Sequence, residues 1–458
     1  MEKHIYIKEL HEILNGREQR QALRLKLSES GNSSVSLNLN IPGFPKNTNY
    51  YLSFFEAVSL ELKNWLTANQ YHIQDEFRLE NEAGVFLLFE ICGSEIDAHK
   101  LKLTTEIFEE NHILARFIDV DVCDNRANLI SSGKLKKCFY CGEFSAIDCM
   151  KNQRHSIEIL RDFQQSKITN YLQQKQKVEL SHKISALALR SVLYEICLTP
   201  KPGLVDFNGS GIHKDMDFNL FMDSTSVISG YFESLFRRGY EFSGEDFSLA
   251  LPQIRFIGLQ MEKAMFLKTK GVNSQKGIIF LMGISLFCVG FSYKKNEKYI
   301  EIDFINSIKS ICKNLVKNEF KVNTRENKTH GEKCFEKYGI AGVRQEAEEG
   351  LPTIFQYSLP LLKKENNLDQ ISLTKTLLIL MAKLYDTNIL YRSNMSILLD
   401  LQSLSANTLH NFSKQNYQKL LDFCLENKLS PGGAADLLSI TIFLYLLEKE
   451  DKNLPDLN

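Results

Sequence analysis

The sequence has almost no net charge and no long hydrophobic run. Its 55 Lys and Arg residues are offset by 56 Asp and Glu residues, so no overall basic field favours extended nucleic-acid binding. The most apolar stretch, residues 277–291, is about 15 residues long, whereas a membrane-spanning helix needs about 20. We therefore expect no nucleic-acid or membrane partner, and we interpret this stretch as a buried helix in which Gly283 and Gly290 permit close packing.

A recognisable N-terminal signal peptide is also missing. The ten cysteines form one close cluster and are otherwise scattered through helix-like segments, which is typical of reduced thiols. These features predict a cytoplasmic protein. At 458 residues the chain is long enough for two or three domains, each with its own core, and no internal repeat relates its two halves.

Strand patterns are concentrated in the first half of the chain. Residues 35–41 and 116–122 alternate apolar and polar side chains, and residues 85–91 form a more continuous apolar run, as a buried strand does. Helical patterns over residues 54–66 and 97–111 lie between them. This mixture predicts an α/β or α+β domain.

The second half has almost no strand patterns. A Gln- and Lys-rich segment, residues 161–177, marks the change in composition. It is typical of a flexible linker or of the solvated face of a connecting helix, and we favour the helix. Helical patterns separated by Gly and Pro then continue to the C-terminus. We predict a first domain of residues 1–177, an all-α helical domain of residues 178–458, and an α+β protein overall.

The segment Thr199-Pro-Lys-Pro-Gly-Leu-Val-Asp206 ends a helical pattern. Its prolines lack amide hydrogens and fix φ, so a helix cannot continue through them. In this segment and just after it, five polar residues lie within 17 positions: Lys201, Asp206, His213, Asp215 and Asp217. A cation for phosphate beside carboxylates for a hard metal is what binding of a nucleoside triphosphate requires. A polar loop between helices is the alternative interpretation.

Asp119 and Asp121 lie two residues apart in a predicted strand. Side chains at i and i+2 project from the same face, so both carboxylates could bind one or two Mg²⁺ ions, as nucleotidyl transfer requires. Arg116 could bind phosphate oxygens or only offset the carboxylate charge. The pattern predicts a nucleotidyltransferase-like N-terminal α/β domain, and a solvated strand face is the alternative.

A cysteine cluster has the spacing Cys138-x2-Cys141-x7-Cys149-x5-His155. Four soft ligands at short spacing could form a tetrahedral zinc site. The paired knuckles of familiar zinc modules are missing, so three reduced thiols packed in a small core, with the histidine on the next helix, are the alternative. Zinc at this cluster is expected to be absent or purely structural, since four protein ligands leave no open position.

Further segments give the chain a family resemblance. In the first half they are Gly16-Arg-Glu-Gln-Arg-Gln21, Asn40-Ile-Pro-Gly-Phe-Pro-Lys46, Arg116-Phe-Ile-Asp-Val-Asp-Val122 and the cysteine cluster. In the second half they are Leu193 to Asp206, His213 to Asp217, Gly271 to Gly277, Gly339 to Ala347 and Ser430 to Asp436. The first half resembles apo-citrate lyase phosphoribosyl-dephospho-CoA transferase, and the second half resembles triphosphoribosyl-dephospho-CoA synthase.

The resemblance implies two successive reactions. The helical domain would join the ribose of ATP to the 2′-hydroxyl of 3′-dephospho-CoA and release adenine, with the triphosphate kept intact. The first domain would then transfer phosphoribosyl-dephospho-CoA to a serine of the citrate lyase acyl carrier (gamma) subunit, with loss of pyrophosphate. Mg²⁺ is the expected cofactor, and ATP and 3′-dephospho-CoA are the expected substrates.

The patterns and the resemblance together assign the site residues. The predicted catalytic residues are Asp119, Asp121, Asp206, Asp215 and Glu346. The predicted residues for binding substrate phosphates and bases are Arg116, Lys201, His213, Lys276, Arg344 and Arg392. The predicted Mg²⁺ ligands are Asp119, Asp121, Asp215 and Asp217. Surface pairing on a helix is the alternative for Arg344 and Glu346.

The sequence departs from the usual pattern of both families. The synthase family usually has Thr-His-Lys-Gly where this chain has Ser274-Gln-Lys-Gly277. The transferase family has an arginine near the position of Ser132, and it usually reads Gly-Arg-Leu where this chain has Ala115-Arg-Phe117. Two other functions therefore stay open: a template-independent RNA nucleotidyltransferase, and a non-catalytic interaction protein with degraded sites.

Overall fold

The computed structural model describes residues 2–93, 96–320, 328 and 330–452. The chain divides into two compact units, Met1–Gln176 and Lys177–Asn458, and each is described by itself. The division falls inside one helix, Ile157–Cys197, which contains the whole Gln- and Lys-rich segment. The helical interpretation of that segment is confirmed.

Unit 1 combines helices with one antiparallel sheet. Its elements are α1 (Glu2–Ser28), β1 (Ser33–Leu39), α2 (Asn49–Ala68), β2 (Ile73–Asn81), β3 (Gly84–Ile91), α3 (Ala98–Asn111), a 3₁₀ turn (Ala115–Phe117), β4 (Ile118–Cys123), β5 (Leu129–Ile130), α4 (Ala146–Lys151) and α5 (Ile157–Cys197). The strand order is β2-β3-β1-β4-β5, and all four neighbouring pairs are antiparallel. The unit is therefore α+β in the strict sense, because an α/β sheet would contain parallel strands.

The three strands predicted from the sequence are present as β1, β3 and β4. The edge strand β2 has no sequence prediction. Its residues are mostly exposed, so the burial that produces an alternating pattern is missing. This segment is a strand because it pairs with β3, and such a contact between segments is not visible in the local sequence pattern.

The two faces of the sheet differ in chemistry. Val35, Leu37, Val120 and Val122 project from one face and join the core with α2. On the opposite face the alternation places small and polar residues of β1 and carboxylates of β4, and helix α1 packs there through Leu27 and its neighbours. The alternation thus leaves a polar surface on a rigid strand.

The described part of unit 2 is built from helices, as predicted. They are α6 (Phe218–Ile228), α7 (Phe232–Glu241), α8 (Ala250–Lys268), α9 (Lys276–Asn296), α10 (Glu301–Ile311), α11 (Leu315–Phe320), α12 (His330–Tyr338), α13 (Val343–Glu348), α14 (Leu359–Glu365), α15 (Gln370–Lys383), α16 (Thr387–Arg392), α17 (Met395–His410), α18 (Lys414–Glu426) and α19 (Gly432–Lys452). Two 3₁₀ turns (Ser229–Tyr231 and Phe247–Leu249) and a π-helical turn (Ile354–Ser358) connect them.

Helix α9 is the central helix of unit 2. By length and composition it could cross a membrane, but most of its apolar surface is buried inside the unit, which confirms the interpretation as a buried helix. A Cβ built on Gly290 would lie 2.1 Å from the carbonyl oxygen of Phe236 on α7. A Cβ on Gly283 would lie 3.5 Å from Ile254 Cγ2, an ordinary contact. Only Gly290 of this pair is required for close packing.

We expect Gly290→Ala to destabilise unit 2 by about 1–3 kcal/mol, because the methyl group forces two helix backbones apart. The matched control, Gly283→Ala, should be neutral or stabilising by up to about 1 kcal/mol, since alanine is the better helix former. Denaturation followed by far-ultraviolet circular dichroism measures both. Equal effects of the two variants would contradict the assigned packing.

Candidate active sites

Asp119 and Asp121 project from the same face of β4. Their cross-strand neighbours on β1 are Asn38 and Ser36, so two carboxylates and two neutral polar residues share one surface. Both carboxylates are only half-buried, which leaves room for a substrate. The sequence prediction about their common face is confirmed by this register.

Two cations neutralise this carboxylate pair. Arg24 reaches from α1 and donates to Asp121 Oδ2 at 3.0 Å and to Ser36 Oγ at 2.6 Å. Lys136 Nζ lies 2.7 Å from Asp119 Oδ1. Burial, followed by the charge of Asp119, raises the pKa of the Asp121 carboxyl. The pair is therefore held against its own repulsion by a cation on each side.

A cationic surface adjoins the carboxylates. Arg20 lies one helical turn before Arg24 and donates to Asn38 Oδ1 at 2.7 Å and to the carbonyls of Ala83 and Gly84. Burial and the nearby charge of Arg17 lower the pKa of Arg20 to about 10. Burial, with the charges of several arginines, lowers the pKa of Lys46 to about 8. Cations that depress each other's pKa form a surface suited to polyanionic phosphate.

These cations were not assigned from the sequence. Arg20 and Lys46 lie in two of the segments that carry the family resemblance, which is the signal that could have identified them. Arg116, which was predicted, donates its Nε–H to the carbonyl of Lys137 at 3.0 Å, so it also supports the loop that holds Lys136. Lys136 supplies a cation four residues after Ser132, the position at which the family arginine is missing.

The four residues of the cysteine cluster converge. One ligand atom from each of Cys138, Cys141, Cys149 and His155 lies within 4.8 Å of every other. Hydrogen bonds from the backbone amides of Phe144 and Glu143 lower the pKa of Cys141 to about 6, and burial raises the pKa of Cys149 to about 12. The cluster lies directly after the loop of Lys136.

In unit 2, Lys201 and Asp206 stabilise the turn that contains them. Lys201 Nζ is buried and lies 2.7 Å from Glu195 Oε1 and 3.0 Å from the Glu195 carbonyl. Asp206 accepts hydrogen bonds from the backbone amides of Lys201 at 2.7 Å and Asn208 at 2.8 Å. This differs from the predicted contacts with phosphate and metal, because both side chains are already paired inside the turn.

His213 lies in the loop before α6, and its side chain contacts the segment just before α19. Its Nε2 is 2.9 Å from Ser430 Oγ, and burial followed by the charge of Arg392 lowers the pKa of the imidazole. Asp215 is exposed beside it. Asp217 caps α6 by accepting from the Leu220 amide at 2.8 Å. The charges of Arg392 and Asp215 thus both act on the His213 imidazole, whereas Asp217 has a capping role.

Asp386 receives backbone hydrogen bonds from the first turns of two helices. Its Oδ1 accepts from the Asn388 amide of α16 at 2.8 Å, and its Oδ2 accepts from the Gly433 and Ala434 amides of α19 at 2.8 and 3.2 Å. Burial raises its pKa to about 6 in spite of these donors. The carboxylate fixes the start of α19 next to Ser430.

Asp436 was not assigned from the sequence, although it ends a resemblance segment. A Cβ built on Gly277, in the first turn of α9, would lie 1.9 Å from Asp436 Oδ2. Burial, followed by the charges of Glu195 and Asp386, raises the Asp436 pKa well above its usual value. Among the described residues no donor reaches its carboxyl group. A carboxyl without an internal partner, placed at a helix N-terminus, is free to act on a substrate.

The remaining predicted residues form internal contacts. Glu346 accepts from Thr353 Oγ1 at 2.6 Å and from the Thr353 amide at 3.1 Å, so it caps a turn instead of facing a substrate. Arg344 pairs with Glu319, and its guanidinium lies over the Phe280 ring on α9. Neither residue therefore pairs along its own helix: Arg344 pairs with Glu319 of α11, and Glu346 pairs with Thr353.

Lys276, the last of the predicted site residues, lies at the start of α9 next to Gln275. Lys276 Nζ lies 3.0 Å from Glu262 Oε2 and is half-exposed. Gln275, where the synthase family usually has histidine, is buried, and its Nε2 donates to Thr225 Oγ1 at 2.9 Å. The departure at this position therefore keeps a buried, hydrogen-bonded polar side chain at the N-terminus of α9.

Comparisons with known proteins agree with this division of the chain. A family model described as apo-citrate lyase phosphoribosyl-dephospho-CoA transferase (CitX) matches residues 8–171. A family model described as ATP:dephospho-CoA triphosphoribosyl transferase (CitG) matches residues 181–454. The two matches lie in the two structural units and do not overlap.

Relatives of both kinds are known. Protein CitXG of Leuconostoc mesenteroides subsp. cremoris is 33% identical over 469 residues, which cover 96% of this chain and 97% of that protein. The probable 2-(5''-triphosphoribosyl)-3'-dephosphocoenzyme-A synthase of Malonomonas rubra is 36% identical over 283 residues, 59% of this chain and 89% of that protein. The chain therefore belongs to the CitX and CitG families, fused in one polypeptide as in Protein CitXG, and is a bifunctional transferase of citrate lyase prosthetic-group synthesis.

Proposed function

We propose that each unit carries one complete active site and that the two sites act in sequence. Unit 2 converts ATP and 3′-dephospho-CoA into 2′-(5″-triphosphoribosyl)-3′-dephospho-CoA and adenine. Unit 1 transfers phosphoribosyl-dephospho-CoA to a serine of the citrate lyase acyl carrier subunit and releases pyrophosphate. The observation that carries this proposal is that each unit has its own set of carboxylates and cations inside its own family match.

In unit 2 the first reaction forms a bond between the 2′-oxygen of dephospho-CoA and C1′ of the ATP ribose. The bond from C1′ to adenine breaks, and its electron pair leaves with the base. We assign Asp436 as the group that protonates the departing adenine, because its raised pKa keeps the carboxyl protonated at higher pH than usual. The hydroxyl proton passes to a base in the His213 loop, where the imidazole and Asp215 lie together.

The phosphates of ATP need cations that do not activate them for attack. Arg392 and the N-terminus of α9 supply positive charge in this part of unit 2. Mg²⁺ is typically bound by one or two carboxylates together with substrate phosphates, which fits the exposed Asp215 and Asp217; it would neutralise phosphate charge. Lys201, Asp206 and Glu346 position the surrounding turns.

In unit 1 the serine oxygen of the carrier forms a bond to the phosphorus next to the ribose. The bond to pyrophosphate breaks, and the new negative charge accumulates on the leaving group. Arg20, Arg24 and Lys46 face this developing charge. Asp119 and Asp121 are the residues that would hold Mg²⁺, whose role is to stabilise the leaving pyrophosphate. This is nucleotidyltransferase-like chemistry on an antiparallel sheet.

The proposed partners and location follow from these reactions. The substrates are two soluble nucleotides and a carrier subunit, so the protein is assigned to the cytoplasm. A template-independent RNA nucleotidyltransferase would need a basic surface that follows an RNA backbone. The cationic residues of unit 1 instead form one compact cluster beside two carboxylates, which suits a diphosphate.

The simplest test of the proposal is the fate of ATP. The purified chain, incubated with ATP, Mg²⁺ and 3′-dephospho-CoA, should release free adenine and no ADP, because the attack is at C1′ and not at phosphorus. Chromatography separates adenine from ADP. Release of ADP or AMP, or no dependence on dephospho-CoA, would contradict the assigned reaction.

Asp119→Asn should lower carrier modification by at least about 100-fold, the size of effect seen when one electrostatic group is removed from an active site. Adenine release should stay at the parental rate, since that reaction belongs to unit 2. Transfer of radiolabelled prosthetic group to the carrier measures the first activity. Asp75→Asn, an exposed carboxylate of β2, is the matched control, and equal loss of both activities would refute two separate sites.

Asp436→Asn should slow adenine release by about 100-fold or more, the range typical of a lost acid or base. In the parent the rate should fall at high pH, because Asp436 then loses the proton it donates; the variant should lack this limb. The variant should also be more stable than the parent at pH 8. A raised native pKa favours folding at low pH, and this advantage is lost as the pH rises through it.

A purely structural role for Asp436 predicts a different outcome. The pH profile of adenine release would then keep its high-pH limb in Asp436→Asn. A variant that unfolds at a lower temperature than the parent at pH 8 would also contradict the assigned role.

A further inference from the structure

The cysteine cluster of unit 1 has the dimensions of a tetrahedral metal site. Cys141 Sγ and Cys149 Sγ are 3.6 Å apart, and all four potential ligand atoms lie within 4.8 Å of one another. Zinc–sulfur bonds of about 2.3 Å place sulfurs about 3.8 Å apart on the edges of a tetrahedron. Within the described part of the chain, no other group of three or more His, Cys, Asp or Glu side chains converges in this way.

Backbone hydrogen bonds already fix the positions of the ligands. The Cys138 amide donates to the Phe144 carbonyl at 2.8 Å, and the Gly142 amide donates to the Cys138 carbonyl at 3.0 Å, which closes a tight turn between the first two cysteines. Ser145 caps α4, and Cys149 lies in that helix. Because these contacts are local, the ligands converge without help from a disulfide.

His155 provides a second, independent observation. Its Nε2 is buried and has no hydrogen-bond partner among the described residues. A buried polar atom without a partner destabilises the fold, and coordination of a metal through this atom would remove that cost. The ring is also held in place by Tyr140, whose ring centroid lies 4.9 Å away.

We propose that Cys138, Cys141, Cys149 and His155 bind one zinc ion, and that this ion is structural. Three thiolates and one imidazole fill a tetrahedral zinc site and leave no open coordination position. The ion would cross-link the two ends of the segment from residue 138 to residue 155. Its proposed role is to hold the loop that delivers Lys136 to the carboxylate pair of β4.

Two contacts connect the cluster to that loop, and a third connects the loop to the turn before β4. The Ala146 amide of α4 donates to the Lys136 carbonyl at 2.9 Å, and Lys137 forms an antiparallel bridge with Ser145. The Lys137 carbonyl accepts the Arg116 hydrogen bond at 3.0 Å. Lys136 is two residues before Cys138, so a shift of the cluster moves the cation that neutralises Asp119.

The test is the metal content and metal affinity of the full chain. Protein purified under reducing conditions, without chelator, should contain about one zinc ion per chain by elemental mass spectrometry. Cys141→Ser should lower zinc affinity by more than about 100-fold, since even changes around the ligands cost about 10- to 100-fold. Cys92→Ser, an exposed cysteine of the same unit, is the matched control and should bind zinc like the parent.

Cobalt substitution keeps the proposal testable if the serine variant does not fold. The Co²⁺-loaded parent chain should show the visible absorption of a tetrahedral thiolate site. A parent chain that stays metal-free after addition of Zn²⁺, or that forms a Cys141–Cys149 disulfide in preference to binding zinc, overturns the proposal. So does an exchangeable water on the bound ion.

A second readout depends on the proposed function. Removal of zinc should lower carrier modification and leave adenine release unchanged. Metal content is measured without either activity, so failure of the zinc site and failure of the two-reaction assignment give different results. Metal binding with no effect on either activity would refute the role of the ion in positioning Lys136.

Discussion

Both candidate sites depend on the close placement of carboxylates that repel one another. In unit 2, Glu195, Asp386 and Asp436 lie near enough for the first two to raise the pKa of the third. The repulsion is offset by fixed donors: Lys201 pairs with Glu195, and the amides of two helix N-termini bind Asp386. Asp436 alone has no such donor among the described residues, and this is the reason for which we propose it as the reactive member of the set.

In unit 1 the repulsion between the carboxylates is offset by the charged ends of long side chains. Arg24 and Lys136 neutralise Asp121 and Asp119 from opposite sides. Long side chains can turn from a carboxylate to a substrate phosphate, whereas backbone amides cannot. This difference suits the two reactions, because the first must keep a triphosphate intact and the second must release pyrophosphate from it.

The two units also differ in the structure that holds their carboxylates and cations in place. The carboxylates of unit 2 lie at the ends of helices whose apolar faces are packed in one large core. In unit 1 the carboxylates are fixed by the sheet, but Lys136 lies in a loop that the core does not cover. The zinc ion that we propose at the cysteine cluster would cross-link this part of unit 1, which is the usual role of a structural metal in a small domain.

Local patterns in the sequence were sufficient for the secondary structure and for part of the sites. Alternation identified β1 and β4, and a continuous apolar run identified β3. Alternation also placed Asp119 and Asp121 on one face, since successive side chains in a strand point to opposite faces. The buried helix α9 was identified from its apolar run, and the helix end before Thr199 was identified from the prolines that follow it. The exposed strand β2 was not, because only pairing with β3 makes it a strand.

Tertiary structure alone decided which charges meet. Arg24 and Asp121 are 97 residues apart, and Asp436 meets the first turn of α9 from the far end of the chain. The sequence around Lys201 predicted a phosphate-binding residue, yet its side chain is buried against Glu195. The sequence by itself determined the chemical groups and the family. Which of these groups pair with one another was decided by the fold, because electrostatic pairing depends on distance in space and not on distance along the chain.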